Sequence, residues 1–77
     1  MEKILEILQD IRSDVNYEQE ERLVSDGILD SVGITVLIAE LEEQFDIEIG
    51  MEYMDNKNFD SARAIYKMVQ ELGGDKN

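Results

Sequence analysis

Asp30-Ser31-Val32-Gly33-Ile34-Thr35-Val36-Leu37-Ile38-Ala39-Glu40-Leu41-Glu42-Glu43-Gln44-Phe45, residues 30–45, carries the clearest helical pattern in the chain. Ile34, Leu37, Ile38, Leu41 and Phe45 recur at three- and four-residue spacing over nearly four turns, which is the stripe of a helix with one buried face. Asp30 suits the N-cap, because a short carboxylate can accept a hydrogen bond from a first-turn N–H. Just upstream, Gly27 can take a positive φ without strain, so it is expected to turn the chain before Ile28 and Leu29 enter the core.

On the N-terminal side, Ile4, Leu5, Leu8 and Ile11 recur at helical spacing from Glu2 to Ser13, with Ile7 broadening the stripe, and predict an amphipathic helix. The period is lost from Asp14 to Asp26, which reads as a long connection anchored by Val15, Tyr17, Leu23 and Val24. Beyond Phe45, the run Asp46-Ile47-Glu48-Ile49-Gly50 alternates over too few residues to build a sheet and is expected to be a connector whose isoleucines plug the core. A short helical turn is expected over Met51 to Asn56. A last helix is expected to be capped by Asp60 or Ser61, to face inward with Ala62, Ile65, Val69 and Leu72, and to end at Gly73-Gly74. The expected fold is all-α, a small bundle of three main helices plus one short helix, forming a single domain over residues 1–77. A coiled coil is disfavoured, since the apolar period breaks at Asp14 and again near Gly50.

Composition narrows function. At 77 residues the chain has little interior to spare for an enclosed substrate pocket. It has no His, Cys or Trp, which removes the usual neutral-pH base, the thiolate nucleophile and the soft metal ligands. Nineteen acidic against seven basic residues give a formal net charge of -12, which repels nucleic acid and anionic lipid and suits partners with basic patches. The N-terminus carries charges through its apolar positions, unlike a signal peptide, and no run approaches the roughly 20 apolar residues of a membrane span. The expectation is a soluble, cytoplasmic, monomeric protein that is not an enzyme. The segment Asp55-Asn56-Lys57-Asn58-Phe59-Asp60 looks superficially like a calcium loop, but Lys57 and Phe59 fall where oxygen ligands are needed and Asp60 where Gly is, so no metal site is expected.

The stretch Asp26-Gly27-Ile28-Leu29-Asp30-Ser31-Val32-Gly33 places a hydroxyl in the first turn of the best-formed helix. Unpaired N–H groups and the positive end of the helix dipole favour negative charge there, so a phosphodiester on Ser31 would sit in a supportive field. Taken alone, Asp30-Ser31 could be an ordinary cap.

With its surroundings, the motif Gly27-Ile28-Leu29-Asp30-Ser31-Val32 resembles the attachment motif of the acyl and peptidyl carrier family. Leu37, Ile38 and Leu41-Glu42-Glu43-Gln44-Phe45-Asp46-Ile47-Glu48-Ile49 resemble that family's helix end and following turn. The resemblance covers almost the whole chain. It implies that a phosphopantetheinyl transferase moves 4'-phosphopantetheine from coenzyme A onto Ser31, with Asp30 as its motif neighbour, and that the arm's thiol carries acyl or aminoacyl groups as thioesters. A thiol supplied by the cofactor would account for a chain without Cys.

Projection at 100° per residue leaves Val32, Val36, Ala39, Glu40 and Glu43 away from the inward stripe of the second helix. Related carriers dock through this helix, which implies that Glu40 and Glu43 meet basic residues of loading and transfer enzymes and that Val32 and Val36 make apolar contacts. Each exposed ion pair contributes only about 0.2 to 1 kcal/mol, as brief docking requires. Gly33 and Val36 stand where fatty-acid carriers often have acids, and in this the chain looks more like D-alanyl and peptidyl carriers. The cargo class stays open at this point, between acyl and aminoacyl groups. The rival reading is an unmodified acidic helical domain that binds a basic protein through the same face.

Overall fold

A computed structural model describes residues 1–74 of the chain; residues 75–77 of the expected domain lie outside the described residues. The helices are α1 (Glu2–Ile11), α2 (Ser31–Phe45), α3 (Asn56–Phe59) and α4 (Ala62–Glu71), with a 3₁₀ turn at Met51–Tyr53 and no strand among the described residues. The architecture is the expected small all-α bundle. α1 packs against both α2 and α4, and the short α3 packs against α4.

Periodicity places the core. Ile4 and Leu8 of α1, Leu37 and Leu41 of α2, and Ile65, Met68 and Val69 of α4 are almost wholly buried, joined by Leu23 and Leu29 from the first connection. Ile34, Ile38 and Phe45 pack on this cluster while partly exposed, so the stripe on α2 is deepest at its centre. Two details depart from the sequence pattern. On α1 the third fully inward residue is Ile7, while Leu5 and Ile11 are half-buried, because the helix is clasped by both α2 and α4. On α4 Met68 is buried and Leu72, just past the helix end, is half-buried.

Helix ends follow local chemistry. α1 stops at Ile11 rather than Ser13, because Arg12 is extended at φ -151° and ψ 106°. The Tyr17 hydroxyl lies 2.9 Å from the Leu8 carbonyl oxygen, which also accepts from Arg12 N–H, and 2.7 Å from the Arg12 carbonyl oxygen, so a buried phenol meets the carbonyls at this helix end. Asp46 closes α2 in the left-handed conformation at φ 53°, and the Glu42 carboxylate accepts from Ile49 N–H at 2.9 Å, holding the connector whose Ile49 is buried.

The expected turn over Met51 to Asn56 is divided. The 3₁₀ turn ends at Tyr53, and Asp55 then caps the separate α3 through Lys57 N–H, which brings Phe59 into the core. Of the two residues expected to cap the last helix, Ser61 does so, its hydroxyl accepting from Ala64 N–H at 3.0 Å. Asp60 turns the other way. Its carboxylate accepts from Val24 N–H (2.9 Å), Ser25 N–H (2.9 Å) and the Ser25 hydroxyl (2.7 Å), while its carbonyl accepts from Leu23 N–H at 2.8 Å. One residue thereby clamps the first connection to the turn before α4. Gly73, at φ 90°, follows α4 as expected.

Candidate functional site

Ser31 is the first residue of α2 and is exposed. The chain reaches it through a compact turn in which Asp26 N–H donates to the Arg22 carbonyl, Gly27 N–H to that of Val24, and Leu29 N–H to that of Leu23. Gly27 has φ 73°, so the turn uses the conformation that glycine adopts without strain. Leu29 is then buried and Asp30 swings out as the N-cap, its Oδ1 accepting from Gly33 N–H at 2.8 Å. Ile34 N–H makes the first intrahelical bond, to the Asp30 carbonyl, so the N–H groups of Ser31 and Val32 have no acceptor within the helix. The Thr35 hydroxyl donates to the Ser31 carbonyl at 2.8 Å, which ties the first turn to the second.

The approach to Ser31 is strapped to the end of α1. The Arg12 guanidinium donates to the Ile28 carbonyl at 3.0 Å while its Nε and second amino group donate to the two oxygens of Asp14, at 3.0 and 3.3 Å. The hydrogen bonds from Arg12 hold the Asp14 carboxyl below the usual carboxylate range.

Beside the serine, an open groove of about 640 Å³ runs between α1, the turn and α2. Ile7 and Ile11 of α1, Ile28 and Leu29 of the turn, and Val32 and Val36 of α2 form its apolar lining, with Asp10, Arg12, Asp30 and Glu40 as polar groups and Gly33 between them. Of the residues expected to meet partners, the structure gathers Val32, Val36 and Glu40 along this groove. Val32 is 70% and Val36 44% exposed, Glu40 is half-buried, and Glu43 stands exposed outside the groove lining. Sequence reading missed Met51 and Met54, also exposed, at 88% and 47%. Apolar residues in a connection carry no period that would distinguish a plug from a surface residue. It also missed the contribution of α1 to the groove. The two carboxylates at the ends of the superficial calcium loop are engaged elsewhere, Asp55 as the cap of α3 and Asp60 in the clamp.

The chain is 34% identical over 71 residues to the D-alanyl carrier protein of Streptococcus sanguinis, covering 91% of this chain and 90% of that protein. It is 36% identical over 72 residues to the D-alanyl carrier protein of Streptococcus suis, with 92% and 91% covered. This chain belongs to the carrier protein family. The carrier is also 29% identical over 73 residues to the D-alanyl carrier protein of Bacillus cereus, with 92% of each chain covered. No family model matches the carrier, and no solved structure matches it. No helix among its described residues is long and apolar enough to cross a membrane.

Proposed function

We infer that this carrier, acting as a single domain, holds an aminoacyl group as a thioester on a 4'-phosphopantetheine arm attached to Ser31, and that the group is D-alanyl. The observation that carries the reading is the exposed serine at the first position of α2, preceded by Asp30 and lying within a chain that matches D-alanyl carrier proteins over nearly all its length.

The residues present fit the arm. The Ser31 hydroxyl is open to a transferase, and the N–H groups of Ser31 and Val32 and the positive end of α2 suit a phosphodiester. Asp30 is not free to repel it with both oxygens, since its Oδ1 is engaged by Gly33 N–H. In the attachment step, the Ser31 oxygen forms a bond to phosphorus of coenzyme A, adenosine bisphosphate leaves, and the hydroxyl proton passes to a base on the transferase. The arm supplies the thiol that this chain lacks.

The chain's own residues position rather than catalyse. Asp30 and Thr35 hold the first turn of α2. Val32 and Val36 offer apolar contact, and Glu40 and Glu43 offer negative charge, to basic patches on the phosphopantetheinyl transferase and on loading and transfer enzymes. Coenzyme A as donor argues for a cytoplasmic setting.

Intact mass after incubation with coenzyme A and a broad-specificity phosphopantetheinyl transferase tests the attachment. The parent gains one phosphopantetheine and Ser31→Ala gains none. An unmodified parent with several such transferases would leave only an acidic helical interaction domain. For cargo, the holo-protein is offered to a D-alanine-activating enzyme and to fatty acyl loading enzymes; loading by the latter alone would overturn the aminoacyl assignment.

A further inference from the structure

The last stretch before Ser31 has few supports from outside. Of residues 26–31 only Leu29 is buried. The hydrogen bonds made by Asp26, Gly27, Leu29, Asp30 and Ser31 all close within residues 22–35. Ile28 is the exception. Its carbonyl accepts from Arg12 Nη1 at 3.0 Å, the one hydrogen bond among the described residues that ties 26–31 to another part of the fold. Burial of Leu29 sets the depth of the segment but not its rotation, because burial is not directional. A hydrogen bond on Ile28, close before the serine in sequence, restrains the rotation that Leu29 leaves open.

Arg12 is held so as to make a fixed tie. It follows α1 in extended backbone, and its Nε and Nη2 donate to the two oxygens of Asp14 at 3.0 and 3.3 Å. Gripped along that edge, the planar guanidinium presents Nη1 to Ile28. Arg12, Ile28 and Asp30 all line the open groove, so the bond lies where the boundary between α1 and the turn is not closed by packing. Its charge has no use in docking. The acidic face of α2 suits basic patches, and a cation lining the groove beside Asp30 and Val32 weakens that attraction.

We propose that Arg12 is a positioning residue for attachment of the arm: gripped by Asp14, it fixes the Ile28 carbonyl and thereby the direction in which Ser31 presents its hydroxyl to the transferase. The role deepens the function inferred above and rests on attachment at Ser31. Arg12 acts through Ile28 and does not touch the reacting atoms. Geometry and charge therefore separate in the kinetics. Losing the tie lowers kcat of the transferase with this chain as substrate, whereas losing a cation that repels a basic patch leaves KM for the chain unchanged or lower.

The test uses the full chain, coenzyme A and a broad-specificity phosphopantetheinyl transferase, with mass gain followed over time at varied chain concentration and each variant shown to be folded by circular dichroism. In Arg12→Gln, kcat is expected to fall about tenfold without a rise in KM, since an ångström-scale misplacement costs up to about a hundredfold. Arg12→Lys keeps the charge but lacks the fork that grips Asp14 and Ile28 together, so it is expected to match Arg12→Gln. Asp14→Ala is expected to lower kcat in the parent and to change it by less than about twofold in Arg12→Gln, as groups acting through one another do. Arg22→Gln removes a cation whose partner, Asp26, lies in the same connection, and its kcat is expected to stay within about twofold of the parent's. The backbone carbonyl shift of Ile28, read by NMR, is expected to move upfield in both Arg12 variants. Parental kcat in Arg12→Gln, a loss confined to KM, full activity in Arg12→Lys, or an equal loss in Arg22→Gln overturns the positioning role while leaving attachment at Ser31 intact. A parent that gains no mass overturns both.

Discussion

Residues 12–30, which lead into Ser31, and residues 46–61, which lead out of α2, are both long connections with buried anchors, but the first carries the denser set of directional bonds. The first is fixed at several points by directional bonds: the Tyr17 hydroxyl at the end of α1, Arg12 on the Ile28 carbonyl, Arg22 on Asp26 at 2.9 Å, and the Asp60 clamp on Val24 and Ser25. The second buries Ile49 and Phe59, leaves Met51 and Met54 on the surface, and has fewer directional ties, chiefly Ile49 N–H on the Glu42 carboxylate and its own end of the Asp60 clamp. Hydrogen bonds lose strength within a fraction of an ångström and a few tens of degrees, whereas apolar burial is not directional. The connection that leads into the exposed serine buries Tyr17, Leu23 and Leu29 and adds to that burial the larger number of directional bonds.

Removing Phe59 should damage the molecule most. Phe59→Ala is expected to lower unfolding free energy by about 3 kcal/mol, read as a drop in the urea midpoint with little change in slope. A loss under about 1 kcal/mol would mean that burial is not what anchors the second connection.

Asp60→Ala should come next, at about 2 kcal/mol, because it leaves the Val24 and Ser25 N–H groups without their acceptor. Amide exchange at those two residues should speed up in this variant. The clamp also has a pH signature. Burial pushes the Asp60 carboxyl up, but the bonds from Ser25 and Val24 and the charge of Arg22 together hold it below its ordinary value. Its stabilising contribution is therefore complete above the unfolded-state value of about 3.9 and fades as pH falls through the lower folded-state value. The parent should lose more stability than Asp60→Ala on going from about pH 5 to pH 3.

Tyr17→Phe keeps the buried ring and removes only the hydroxyl, so about 1 kcal/mol is expected, with exchange accelerated at the end of α1 and not in α4. Met51→Gln should change unfolding by less than about 0.5 kcal/mol, since that side chain is 88% exposed. A larger effect there would blur the contrast between the two connections.

The same contrast explains what the amino-acid sequence discloses. The helices follow from period, and Asp30 and Ser31 follow from capping chemistry at the start of a strong stripe, so the serine and its helix could be placed before any coordinates. The Asp60 clamp could not, because it joins side chain to backbone across 36 residues and leaves no period in either partner. Met68 and Leu72 lie four positions apart, and only the end of α4 at Glu71 decides which is buried. The groove was half visible, in Gly33, Val36 and Glu40. Its other wall, Ile7, Asp10 and Ile11, required knowing which face of α1 meets α2.

Tyr17 also gives the bundle an optical probe. With three tyrosines and no tryptophan, phenol dominates the near-ultraviolet spectrum of the chain. Burial pushes the Tyr17 hydroxyl above its ordinary value, with Arg12 opposing and Asp14 adding to the shift. Its neutral form stabilises the fold up to about pH 10 and that contribution is lost as pH rises further. In an alkaline titration, the late-appearing fraction of phenolate absorbance thus marks when the tie between α1 and the connection to Ser31 lets go.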